Sequence, residues 1–382
     1  MVLGAKQSTA SGRRRPVGED SEFLRRQLLT YLGNKRLLLD HIAKAVGHVQ
    51  QRLGKKRLQL FDVFAGSGVV SRFFKAHASR LVSNDFEDYA AVVGRCFLRN
   101  RSSVNFRRLR EIVDDLNARV DGDGFQSGFL EELYSPNDES QITAEDRVFY
   151  TRDNARRLDN YRRMLDSAPS DLRDLVLGPL LSEASIHANT AGVFKGFYKD
   201  RRTGVGKFGG SHGDALSRIR GPIRLAPPVL SRFECDVDVM QMDANAAARR
   251  VRDVDLAYID PPYNQHPYGS NYFMLNLLVR YERPTRISKV SGIPVGWRRS
   301  GYNAKTSSLE LLRDLLGALD SRFLLVSFND EGFIRPREMT TLLERLGSVQ
   351  VVEVPYHTFR GSRNLRNRDL HVTEHLFLVE RR

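Results

Sequence analysis

The chain has 382 residues, enough for one large domain or two ordinary ones, and 41% of them are hydrophobic, enough for a packed core. Its 60 lysines and arginines outnumber 46 acids, and the resulting formal charge of +14 favours a polyanionic partner, nucleic acid before an anionic membrane surface. Two cysteines in this length argue against a disulfide scaffold or a structural zinc site and suit a reducing cytoplasm, and no apolar run is long enough to span a bilayer or to form a signal-peptide core.

Residues 1–22, small, polar and basic, are expected to form a disordered arm. "NKRLLLDHIAKAVGHV" follows, with Leu38, Ile42, Ala45 and Val49 at helical spacing. "RLQLFDVF" reads as a strand that runs into the glycine turn "AGSG" and the helix "VVSRFFKAH", and "LVSND" is a second short strand that ends on Asp85. A long polar helical stretch reaches about residue 185. Residues 189–214 are rich in glycine and basic residues, as expected of loops or a small hairpin. "VDLAYID" is the next buried strand. "SSLELLRDLLGALD" opens with a capping-box pattern, Ser307 to Glu310, and places Leu309, Leu312, Leu316 and Leu319 on one helical face before the strand "FLLVSF". "VQVVEV" and "EHLFLVE", joined by a basic loop (residues 357–369), read as an antiparallel pair at a sheet edge.

Strands alternating with helices predict an α/β fold with a mostly parallel sheet, an antiparallel edge, and ligands held beyond the carboxyl ends of the strands. Three tips converge there. In "DVFAGSGVVS", Phe64, Gly66 and Gly68 sit between strand and helix, where glycines let a ligand approach the backbone; a purely structural turn has the same pattern, and no Gly-Lys-Ser/Thr follows to make it a P-loop. Asp85 stands at the spacing of an acid that binds a ribose diol, although a solvated strand-end acid reads alike. The third tip is "DPPYN". Prolines cannot donate, so Asp260, the carbonyl of Pro261 and the ring of Tyr263 offer two acceptors and a flat face to a planar group that carries an NH₂. Asp243, in "QMDANA", is either a further cofactor contact or an exposed turn acid.

Four stretches in order, "YLGNK" (Tyr31 to Lys35), "FAGSG", "SNDFE" and "DPPYN", resemble the Dam-type DNA adenine methyltransferases. The resemblance implies a Rossmann-like methyltransferase fold and S-adenosylmethionine as cofactor, held by Tyr31, Lys35, Phe64, Gly66, Gly68, Asp85, Asp243 and Asp260. Double-stranded DNA is the implied substrate, with a cognate restriction endonuclease as a candidate partner and neither metal nor membrane required. Catalysis is expected from Asp260, Pro261 and Tyr263 on a base flipped out of the duplex. Acceptors on both N–H groups hold the amino nitrogen out of conjugation, and an ordinary carboxylate with a pKa of about 4 takes up the released proton. Residues 23–100 and 236–382 are expected to form the catalytic domain and 101–235 an inserted target-recognition region. Within that region Lys195, Lys199, Arg201, Arg202 and Lys207, interleaved with aromatic residues, are the expected DNA contacts, where the alternative is a solvated basic loop. Methylation of the cytosine amino group is the nearest rival; that class more often carries Ser in place of Asp260. A ribosomal RNA methyltransferase and a DNA-binding module with an inactive cofactor pocket are the others.

Overall fold

The computed structural model describes residues 18–122, 126–210, 213–357 and 371–382. Seven strands form one sheet in the order β3-β2-β1-β4-β5-β7-β6. They are β1 (Leu58–Asp62), β2 (Ala78–Asp85), β3 (Asp236–Gln241), β4 (Val254–Ile259), β5 (Ser321–Asn329), β6 (Gly347–His357) and β7 (His371–Arg381). β1 to β5 are mutually parallel where they pair, and β7 runs antiparallel between β5 and β6. The expected antiparallel pair is present, with β6 as the edge and the C-terminal β7 inside the sheet.

Alternation along the strands sorts the core into two layers. Phe61, Ala257, Ile259, Leu324 and Val326 face one side. There they meet the helices α9 (Ala244–Ala248), α12 (Ser308–Ala318) and α13 (Pro336–Glu344). Leu60, Leu256, Tyr258, Phe323 and Leu325 face the other, against α1 (Leu39–Leu53) and α2 (Val69–Phe74). β4 is buried at every position, as expected of a central parallel strand. β3 has no counterpart among the sequence expectations. Its "DVDVMQ" is acidic and half exposed, because β3 is the other sheet edge, where only one side chain in two needs to be apolar.

The stretch between β2 and β3 carries helices joined by long loops: α3 (Asp88–Phe97), α4 (Phe106–Asp121), α5 (Phe129–Tyr134), α6 (Arg152–Leu165), α7 (Ser170–Ile186) and α8 (Leu216–Arg220). α3 to α7 share a third core with α11 (Phe273–Arg280), which follows the short α10 (Tyr268–Asn271). Gly178 brings α7 against α3 so closely that a Cβ there would lie 2.6 Å from Cys96 Sγ. The helical region is therefore welded to the sheet through α3.

One local expectation fails. Ser307 precedes α12 without capping it; its Oγ donates 2.7 Å to the carbonyl of Gly301 instead. The arm up to residue 17 and residues 358–369 of the basic loop lie outside the described residues. Gly18–Glu22 are tethered at Glu19, which accepts from Ser231 Oγ and, at 3.0 Å, from Arg232 N.

Candidate active site

The ends of β1, β2 and β4 open into a cleft. Tyr31, Lys35, Phe64, Gly66, Asp85, Asp243 and Asp260 all line it. Gly66 (φ +52) needs the left-handed region, and a Cβ there would press to 3.0 Å from the Tyr31 hydroxyl. Its N–H donates 2.7 Å to Asp85 Oδ2, while Asp85 Oδ1 accepts from Glu87 N at 2.9 Å. The acid of β2 thus fixes the glycine turn of β1, and burial holds its carboxyl above the usual range. Gly68 (φ +75) is the N-cap of α2 and lies outside the cleft lining. Phe64 meets Tyr302 edge-on at 5.2 Å. Asp243 caps α9, accepting from Asn245 N at 3.0 Å and Ala246 N at 3.1 Å through Oδ1 alone.

Tyr31 sits in a cluster of rings. It stacks on Tyr272 at 4.6 Å and on Tyr268 at 5.2 Å, so the "HPYGSNY" stretch forms one wall of the cleft. Lys35 is 3% exposed. Its Nζ lies 3.3 Å from Asp260 Oδ1 and 3.2 Å from Glu374 Oε1. Burial opposes the Lys35 charge, but the two carboxylates outweigh it and hold the ammonium well above its usual range.

Burial moves Asp260 the other way, up to about 7; the positive charge of Lys35 pulls it down and the negative charge of Glu374 raises it. It is not the ordinary carboxylate expected from sequence: taking it out of water penalises the charged form. Asp62 and Glu87, also lining the cleft, are pushed up to about 7 as well, mainly by burial. Asp62 Oδ2 accepts 2.6 Å from Ser71 Oγ, whereas its buried Oδ1 has no hydrogen-bond partner. An acidic cleft with an unpaired buried carboxylate oxygen fits a cationic ligand.

Pro261 and Tyr263 do not line this cleft. They line a tight recess that adjoins it at Pro262 and Tyr302 and is closed by Phe328 and Phe333. The Tyr263 ring lies 5.4 Å from Phe328, and its hydroxyl accepts 2.9 Å from Asn329 Nδ2. Asn329 also reaches Glu374 Oε1 at 3.4 Å. The two ends of "DPPY" are therefore braced by one buried chain of polar groups: Asp260, Lys35, Glu374, Asn329 and Tyr263. Glu374 and Asn329 are absent from the sequence expectations, because both sit on strands whose neighbours read only as hydrophobic. Asp62 is legible as an acid two residues ahead of "FAGSG".

The five expected DNA contacts lie in or beside a small hairpin in which Lys199 pairs antiparallel with Gly206. Asp200 Oδ1 accepts from Arg202 N and Thr203 N and closes the turn, leaving Arg201 and Arg202 exposed at its tip. Lys195 is exposed and Lys207 half-buried. Phe194 N donates 2.7 Å to the carbonyl of Asn271, which ties the start of this segment to the wall of the cleft. Other basic residues of the region are structural: Arg218 donates 3.0 Å to the Ala188 carbonyl, and Arg224 pairs with Asp121. Cys96 and Cys235 are buried thiols pushed up by burial, as small core residues should be. Among the described residues no helix is long and apolar enough to cross a membrane.

The chain is 25% identical to the type II methyltransferase M.NlaIII of Neisseria lactamica, over 92% of this chain and 99% of that one. It is 27% identical to M.CviAII of Paramecium bursaria Chlorella virus 1, over 91% and 97%. Against the modification methylase StsI of Streptococcus sanguinis it is 27% identical over 93% of its own length and 52% of the relative's. The pattern of the D12 class N6 adenine-specific DNA methyltransferases matches residues 31–316, from the tyrosine of the cleft wall into α12. That match favours neither cytosine nor ribosomal RNA as substrate, and with the seven-stranded sheet and its acidic cleft it places the chain in the D12 class N6 adenine-specific DNA methyltransferase family.

Proposed function

We propose that the chain binds S-adenosylmethionine in the cleft and methylates an adenine that has been turned out of double-stranded DNA. The observation that carries this reading is Asp260 at the tip of β4, held by Lys35 and set between the acidic cleft and Tyr263. When bound, the cofactor supplies an electrophilic methyl group on a sulfonium. Asp62 and Asp260 offer anionic surroundings to its positive charges, Asp85 and Glu87 offer acceptors to the ribose hydroxyls, and the Oδ2 of Asp243 offers one to the adenine amino group.

The chain's own part in the transfer is to prepare the amino group of the substrate base. Its lone pair is delocalised into the ring and is a poor nucleophile. Asp260 accepts one N–H and the carbonyl of Pro261 the other, which localises the lone pair on nitrogen and orients it for in-line attack. The base lies against Tyr263, whose ring is backed by Phe328 and whose hydroxyl is held by Asn329. Asp260, with its carboxyl at about 7, is a better proton acceptor for the methylated amine than an exposed aspartate. Opening a base pair costs a few kcal/mol, offset by stacking and by hydrogen bonds in the pocket. Lys199, Arg201 and Arg202 on the hairpin hold the phosphate backbone, and the enzyme works in the cytoplasm beside a cognate restriction endonuclease.

The test is sequencing that detects modified bases, on DNA from cells with and without the gene, and from cells carrying Asp260→Ala. N6-methyladenine at one short sequence, absent in the variant, is the expected result. Methylated cytosine, or no DNA modification from the intact protein, would overturn the reading.

A further inference from the structure

Residues 281–303, between α11 and α12, carry a second hairpin. Ile287 pairs antiparallel with Pro294, and Val295 N donates 2.9 Å to the carbonyl of Arg286. The tip is Lys289, Val290 and Ser291. Val290 and Val295 are each 66% exposed; among the described large apolar side chains only Leu37 is more so. Arg286 and Lys289, beside them, are exposed cations. Exposed apolar side chains interleaved with cations are costly in water and complementary to a surface that is itself part anionic and part apolar.

The hairpin is fastened from below. Tyr134 Oη donates 2.8 Å to the carbonyl of Gly292, and Arg147 Nη2 donates 3.1 Å to that of Lys289. Gly292 (φ +67) is seated so closely that a Cβ there would lie 2.7 Å from Arg147 Cδ. The next residue, Val148, supports the other hairpin. Gly206 lies directly on its side chain, and Asn189 Nδ2 bridges the carbonyls of Val148 at 2.8 Å and Lys207 at 2.9 Å. The two basic hairpins therefore rest on adjacent residues. Each also leads to the cleft rim, one through Phe194 on Asn271, the other through Arg298, whose carbonyl packs on Gly269 and which itself lines the cleft.

We propose that residues 286–295 form a second DNA-binding prong, in which Arg286 and Lys289 neutralise phosphates while Val290 meets the apolar part of a groove, sugar edges or thymine methyl groups. The prong rests on the reading of this protein as a DNA-binding enzyme. Two prongs on neighbouring supports grip the duplex on either side of the base that is turned into the cleft, so the flanking backbone is held while one nucleotide moves. The +14 charge supplies the long-range attraction, and the prongs supply the points of contact.

Binding of the full-length protein to a labelled duplex of arbitrary sequence, followed by anisotropy across a series of salt concentrations, tests this directly. The intact protein should lose affinity steeply with salt. Arg286→Ala with Lys289→Ala should flatten the log–log slope by about 0.9 for each phosphate that is no longer neutralised. Val290→Ser should lower affinity by a similar factor at every salt concentration and leave the slope alone. All three residues are exposed, so unchanged thermal melting is expected and serves as the folding control. A double variant with the slope and affinity of the intact protein would overturn the prong and leave this hairpin as a surface for a protein partner. No salt-dependent binding by the intact protein would overturn the DNA reading itself.

Discussion

The mouth of β4 and the two hairpins both concentrate charge, and they are built in opposite ways. At β4, Lys35 is buried between Asp260 and Glu374, and it meets each acid through a short contact largely shielded from water. On the hairpins, Arg201, Arg202, Arg286 and Lys289 stand in solvent. A reacting nitrogen needs a fixed field of low dielectric, whereas a polyanion that must be found, slid along and released needs cations whose grip salt can loosen. Chemistry and recognition should therefore respond to different perturbations.

The largest break should come from Asp260→Ala. Single-turnover methyl transfer to duplex DNA at saturating cofactor should fall by on the order of 10²–10³-fold or more, the scale of removing a group that acts on the reacting centre. DNA affinity should keep its salt slope. Near-normal rates would refute the role of this carboxylate. Next in size is the combined Lys199→Ala, Arg201→Ala and Arg202→Ala variant, which should flatten the salt slope by up to about 2.7, or about 0.9 per phosphate. Its single-turnover rate at saturating DNA should be preserved. An unchanged slope would place the DNA elsewhere.

The buried network makes a sharper prediction about pH. Asp260 must be ionised to accept, so the single-turnover rate should drop as pH falls through about 7. Lys35 favours the ionised form and Glu374 disfavours it. Lys35→Met should therefore move the inflection to higher pH, and Glu374→Gln should move it to lower pH, with rates down about tenfold, the size of one charge-assisted hydrogen bond. Inflections that move together, or not at all, would separate Glu374 from Asp260.

Stability should respond with the opposite sign. Asp62 binds its proton more tightly folded than unfolded, so between about pH 4 and 7 the folded state holds more protons and loses stability as pH rises. Asp62→Asn should stabilise the ligand-free protein at pH 8 by up to a few kcal/mol, since each unit is about 1.4 kcal/mol, and by little at pH 4. Denaturant melts at the two pH values would measure it. The smallest effect should be Tyr263→Phe, which keeps the stacking face and gives up one hydrogen bond to Asn329, worth about 1 kcal/mol. A rate within about fivefold of the parent is expected, and a deeper loss would give the hydroxyl a direct part in the reaction.

The sequence displays the parts of the site that are local. Glycines at 66 and 68, an acid at the end of β2 and "DPPY" after a buried strand are each adjacent in the chain to the turn they build, so their types and spacing are readable. What depends on distant packing is not. Glu374 lies on β7 among Leu376, Phe377 and Leu378, and nothing near it in sequence hints that it meets Lys35. The elevated carboxyl of Asp260 is a product of burial, which no motif encodes. The half-exposed β3 lacks the apolar run that announces β4. The pattern at Ser307 matches a capping box, yet the fold gives its hydroxyl a better partner in Gly301. Pro261 and Tyr263 stand close to Asp260 in sequence, but they line a recess that adjoins the cleft rather than the cleft itself, which the motif does not announce.

The contact between Lys35 and Glu374 joins positions 339 residues apart. A ribosome adding about 5–20 residues per second releases the first long before the second exists. Until β7 slots between β5 and β6, the lysine that supports Asp260 lacks its second carboxylate. Completion of the site therefore waits on β7, whose arrival closes both the sheet and the charge network around Asp260.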